Sequence, residues 1–374
     1  MSTVLTGMGV VSSVGRTALA ACAAIHARIS RPRKLRYFRS VDEETQDAVG
    51  LTAHPLTGYT EGFDGVGRWR RLALGALEDL LRTPCVPKDA DSRFWGRTGM
   101  VGVLPVPEDL LPVPEPESAS LLALCLSPLR DELGLDVAVE SMKAVAMGSA
   151  GLFVALEMGL RWLDDGVLDR CLIVVADSYL TPLPLLRLSR ERRLKWDGQP
   201  VGLMPGEAGV GFLLERETHA VRRGASPLAR ILAVATGRES SPGSGARHFS
   251  GVALGSCVRD ALGRSAAPLP FSGDIHVDLN GESWRSRQWG GALARLRDGL
   301  AEPRIHTVAS SVGDTGCASA ALGLCQAVHG LCWGHARSNP CLVVSSADDG
   351  AVGCVAVQGM GAPIRALFMG RRAG

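Results

Sequence analysis

The sequence has few aromatic residues (5%), almost no net charge (+2 over 374 residues) and no long uninterrupted apolar run. With no basic stripe interleaved with aromatics, it offers no stacking groove for nucleic acid. So small a net charge gives no reason to expect a polyanion or an anionic membrane surface as the main partner. The best apolar stretch, Cys171 to Ala176, stops at Asp177 and then meets prolines, far short of a bilayer span. The opening MSTVLTGMGVVSSVG lacks the charged head and continuous apolar stretch of a signal peptide. A cytoplasmic protein with no membrane partner is therefore expected. The ten cysteines form no CxxC pair and no Cys/His spacing suited to zinc, so neither a metal nor another cofactor is implied. Cys171, Cys325 and Cys354 sit inside apolar runs, where a thiol acts as a small hydrophobe, and structural disulfides are not expected.

What is present is ample core material: 46% of the residues are hydrophobic and 21% are charged. The first half opens with an apolar strand, Val4 to Val11, followed by a charge-rich stretch from about Pro32 to Thr60. A helix is expected around Trp69 to Leu81 and a strand around Thr98 to Leu104. The run from Pro105 to Pro116 carries five prolines and reads as a loop. A strand approach, Lys143 to Met147, then reaches Gly148-Ser149-Ala150-Gly151. Apolar residues at helical spacing predict a helix from Gly151 to Asp164, closed by Gly166. Strands follow at Cys171–Ala176 and Gly209–Glu215.

The second half has the same order. Arg230 to Thr236 matches the opening strand, and His306 to Val312 approaches Gly313-Asp314-Thr315-Gly316. A helix over about Cys317 to His329 follows, then strands at Cys341–Ser345 and Ala351–Val357. Strands alternating with helices imply mainly parallel sheets covered on both faces. We expect a duplicated architecture, residues 1–222 and 223–374, with each G-x-x-G turn at a helix N-terminus, where free amides and the positive dipole end gather.

Three landmarks carry a family resemblance. Leu5-Thr6-Gly7-Met8-Gly9-Val10-Val11-Ser12 resembles the opening strand of the β-ketoacyl synthases. Asp197 to Gly209, ending Pro205-Gly206-Glu207-Ala208-Gly209, resembles their Gly-Glu-Gly-Ala-Gly segment. Gly166 to Ser178 is similar to their helix-to-strand return. As an ordered set spanning almost the whole chain, they imply the thiolase-type five-layer αβαβα fold made of two similar halves. The family uses a Cys, two His and a Lys. Ser149 falls at the position of the Cys, Asn280 at the first His and Asp314 at the second; Ala309 stands where the Lys would be, and Ser345 to Gly350 replaces a Gly-Phe-Gly-Gly turn.

The resemblance thus implies a scaffold of fatty-acid or polyketide biosynthesis with a degenerate active site. An anionic Asp314 opposes enolate formation and Asn280 cannot shuttle a proton, so decarboxylative condensation by this chain alone is not expected. Two readings of the site stay open. In one, Ser149 accepts an acyl group, giving acyl transfer or thioester hydrolysis, with Asp314 as the candidate base and His276 a distant alternative. In the other the chain is a silent subunit, similar to the chain-length factors that pair with an active ketosynthase, or an acyl-binding homodimer; Ser149 and Asp314 are then caps and Asn280 a turn residue. Implied partners are an acyl carrier protein or acyl-CoA thioester and a second thiolase-fold chain, as homodimer or heterodimer. Arg187, Arg190, Arg192, Arg193 and Lys195 form either a carrier-binding patch or a solvated loop. Trp284 and Trp289, beside Arg285 and Arg287, suggest a substrate mouth or a subunit contact. Glu207 reads as structural.

Overall fold

The computed structural model describes residues 2–42, 45–87, 90–105, 117–240, 247 and 249–361. Pro105 apart, the proline-rich run to Pro116 lies outside them. The strands are β1 (Thr3–Ser12), β2 (Arg33–Val41), β3 (Ala48–Ala53), β4 (Thr98–Val103), β5 (Met142–Val145), β6 (Arg170–Ser178) and β7 (Glu207–Arg216). Then come β8 (Ala229–Arg238), β9 (Asp274–Val277), β10 (Arg304–His306), β11 (Cys341–Ser346) and β12 (Ala351–Gly359). The helices that build the layers are α1 (Ala18–His26), α2 (Gly65–Leu81), α3 (Gly151–Asp164), α4 (Pro182–Arg190), α5 (Val252–Ser265), α6 (Ser283–Arg295) and α7 (Ala318–Cys332).

Ten strands form one hydrogen-bonded series, β10-β9-β11-β12-β8-β1-β7-β6-β4-β5. From the central β1/β8 pair outward, both halves show the same sequence of pairings: antiparallel, antiparallel, parallel, parallel. The sheets are therefore mixed rather than mainly parallel. β11 and β12 are joined by a short turn over 347–350, and a hairpin connection can only make an antiparallel pair. The seam between the halves is slight, since β1 and β8 pair only at Thr3–Ile231, Val4–Arg230 and Leu5–Ala229.

The layers follow from which strand faces are apolar. Inward side chains such as Val10, Val103, Ile173, Phe212, Val343 and Val355 pack with α3 and α7 in one central core drawn from both halves. On the outer face of the first half, Leu72, Leu77 and Leu80 of α2 cover Val11, Met100, Leu172 and Leu213. On that of the second, α5 and α6 cover Ile275, Leu342 and Cys354. The result is five layers, helix–sheet–helix–sheet–helix. Glycines set the close approach of α2. A Cβ at Gly9 would sit 2.1 Å from the Ala76 carbonyl oxygen, and one at Gly209 would sit 2.1 Å from that of Leu72. The charge-rich stretch after α1 contains a two-stranded ribbon, β2–β3, whose Leu35, Phe38 and Leu51 pack on Leu185 and Leu188 of α4. Among the described residues no helix is long and apolar enough to cross a membrane.

Candidate active site

Ser149 lies in the single turn of 3-10 helix, Gly148–Ala150, that leads into α3. The residue is buried, and its hydroxyl makes no capping bond: Oγ donates to the Gly316 carbonyl at 3.1 Å. Its own carbonyl accepts from Ser345 Oγ at 3.2 Å. The helix-cap reading of Ser149 is therefore replaced by a contact between the two halves. The turn 313–316 facing it is pinned to the loop before β7, with Asp314 N donating to Met204 O and Gly206 N to Asp314 O.

Asn280 and Asp314 meet, with Asn280 Nδ2 2.6 Å from Asp314 Oδ2. The amide orientation follows from its surroundings. Nδ2 faces two carboxylates, the second being Glu282 at 2.8 Å, while Oδ1 accepts the Glu282 N–H. The other oxygen of Asp314 accepts from Gly316 N at 2.9 Å and from Ser319 Oγ at 3.3 Å. Asp314 holds the turn before α7, but α7 itself has no side-chain cap. Burial raises the Asp314 pKa above the ordinary carboxylate value against the opposing pull of Arg285. No hydrogen bond joins Ser149 to Asp314, Asn280 or His276 among the described residues. His276 belongs elsewhere, because its ring stacks on that of His306 with centroids 4.7 Å apart.

Around this pair lies a buried ion network. Arg193 spans Glu282 and Asp348, donating to Glu282 at 2.6 and 2.9 Å. Arg285 bonds Asp278 and donates to the Ser346 carbonyl at 2.6 Å. Despite their burial, Arg193 holds both Glu282 and Asp348 below the ordinary carboxylate range. Arg193 thus leaves the expected basic surface run and turns inward. Trp284 and Trp289 are buried in α6, Trp284 edge-on to Phe249 and beneath Arg285, and neither borders the cavity described next. Glu207 is structural as expected. Fully buried, it accepts from Leu56 N, Thr60 Oγ1, Arg68 and Ser178 Oγ, tying α2 and its approach loop to β7.

Ser149 borders a cavity of about 690 Å³ whose walls include Trp69, Asp177, Tyr179, Arg187 and Cys317. Asn280 and Asp314 do not line it. Asp177 receives the amides of Ser178 (2.7 Å) and Cys317 (2.9 Å), and burial lifts its pKa to about 7. The Cys317 thiol donates to the carbonyls of Ala176 and Val103, and burial followed by the Asp177 charge pushes its pKa well up. Such a thiol is not a ready nucleophile. The sequence reading missed Asp177 and Cys317; the signal was a carboxylate at the end of an otherwise apolar buried strand.

No family model and no curated protein matches the sequence. Solved structures do. A chain from a type II polyketide synthase (PKS) acyl-carrier protein complexed with its hexaketide-bound ketosynthase aligns over 96% of this chain and 99% of its own, with a TM-score of 0.76 at 15% identity. The fold is that of the ketosynthases. The ishigamide ketosynthase/chain length factor covers 96% of this chain and 100% of its own (TM-score 0.69, 19% identity). An oxazolomycin ketosynthase domain from Streptomyces albus JA3453 matches 96% of this chain with 74% of its own (TM-score 0.77, 16% identity).

Proposed function

We propose that the chain is a non-condensing ketosynthase-fold subunit of polyketide biosynthesis, pairing with an active ketosynthase as chain-length factors do and housing, without a covalent bond, part of the acyl chain that a carrier protein presents. The observation that carries this reading is the closed state of the Asn280–Asp314 pair. Both Asp314 oxygens are engaged, Asn280 bridges two carboxylates, and neither residue reaches Ser149. A serine without a base is a poor nucleophile, and a buried carboxylate is a poor place for an enolate. The cavity beside Ser149 has the size of a small-molecule chamber and takes the acyl chain in this reading. Acyl transfer through Ser149 is favoured by one observation, its place on the cavity wall.

One experiment separates the two. The purified chain is incubated with acyl-CoA and acyl-carrier thioesters, and intact mass and thioester turnover are recorded, alone and after co-expression with a Cys-His-His ketosynthase. The subunit reading expects no adduct and no turnover by this chain alone, together with a stable heterodimer. An acyl adduct that vanishes in Ser149→Ala would establish the transfer reading instead.

A further inference from the structure

Five of the eight histidines gather where α1 meets the second half, and none of them lines the cavity beside Ser149. His26 stacks on His335 at 4.3 Å and lies 6.4 Å from His329, while His276 stacks on His306 at 4.7 Å. Between α1 and the β9–β10 edge three of these rings border a second cavity of about 460 Å³, lined among others by His26, Arg28, His276, Arg304, His306 and Ser310. No acidic residue lines it among the described residues. A carboxylate outside the lining, Asp274, orients two of its residues. It accepts from Arg304 at 2.5 and 2.9 Å and contacts His306 Nε2 at 2.8 Å.

Arg28 is exposed and makes no ion pair among the described residues. His276 is 7% exposed, and its Nδ1 is buried without a hydrogen-bond partner among them. A buried ring nitrogen left unpaired calls for a partner. The rings also repel one another when charged. Burial lowers the His26 pKa, assisted by His335, His306 and Arg304, and burial followed by His306 takes His276 to about 3. His276 is thus uncharged near neutral pH, and the fixed positive charges at the cavity are those of Arg28 and of Arg304, the latter shared with Asp274.

We propose that this cavity is a binding site for a small anionic molecule carrying a phosphate or a carboxylate, held by Arg28 and Arg304 with His26 and His306 at its mouth. Its volume suits a metabolite rather than a lone ion. The site is independent of Ser149 and of the functional reading above.

Calorimetric titration of the full chain with inorganic pyrophosphate and, separately, with citrate distinguishes the two chemistries. At least one is expected to bind saturably with a Kd below about 1 mM. Arg28→Gln, a change at an exposed residue, is expected to weaken that binding about tenfold, since a charge-assisted contact is lost. The ring resonances of His26 and His306 should shift on saturation. Absence of saturable binding by both anions, or unchanged affinity in a folded Arg28→Gln variant, overturns the proposal.

Discussion

Arg193 is 5% exposed and serves Glu282 and Asp348 at once, two acids reached from separate segments of the second half. Removing one partner of a buried charge group strands the others in a poorly solvating interior, so Arg193→Ala should lose about 3–5 kcal/mol of stability, read from urea midpoints. Arg193→Lys keeps the charge but not the fork, and should fall between the two. Asp177 makes a different prediction. Burial lifts its folded-state pKa from an ordinary 3.8 to about 7, so the native chain holds this proton where the unfolded chain has released it. The contribution of Asp177 is intact below pH 3.8 and is lost as the pH rises through 7. Asp177→Asn removes that loss, and the melting temperature of the variant minus that of the wild type should grow from pH 5 to pH 8, within about those limits. A difference independent of pH would show that Asp177 ionises normally. The G-x-x-G turns that carry Ser149 and Asp314 were legible as turns before helices, but the meeting of Asp314 with Asn280 was not, since 34 residues separate them. The arginines facing them were not, because Arg193 and Glu282 are 89 residues apart and nothing local announces their contact.

Among the elements, α3 runs from Gly151 to Asp164 as its apolar spacing and closing Gly166 indicate. It was readable because its buried face repeats Leu152, Ala155, Leu156 and Gly159 at helical intervals. Most strands of the large sheet were equally plain, in apolar runs bounded by turn residues. Pairing direction was not, since periodicity says which face is buried and nothing about the neighbour. The β2–β3 ribbon escaped notice because its few inward residues are diluted by arginines and lysine. The first turns of α3 also hold the halves together. Phe153 is fully buried against Gly353 of β12, where a Cβ would come within 2.2 Å of the ring. Phe153→Ala should therefore cost about 3–5 kcal/mol by chemical denaturation. Gly353→Ala should also destabilise, because the ring has to move.

Across the whole molecule, the central core takes residues from both sheets, whereas the sheets themselves touch through only three residue pairs. The proposed halves, 1–222 and 223–374, therefore cannot separate without exposing α3 and α7. Unfolding monitored by tryptophan fluorescence and by circular dichroism should give one coincident transition, and residues 1–222 expressed alone should fail to yield a folded monomer. Two resolved transitions would contradict this. The likeness of the two halves was visible in the order of elements; the mixed pairing was not, being a property of the assembled sheets. The network around Asn280 and Asp314 resists change at any one of its positions. Arg193 from one half clamps Glu282 and Asp348 from the other, and Asn280 fits only because two acids accept its amide protons. An imidazole at position 280 would face the acids Glu282 and Asp314, which would hold it in its protonated form. A histidine placed there alone would therefore not make a free proton shuttle, and the acids at 282 and 314 would have to change with it.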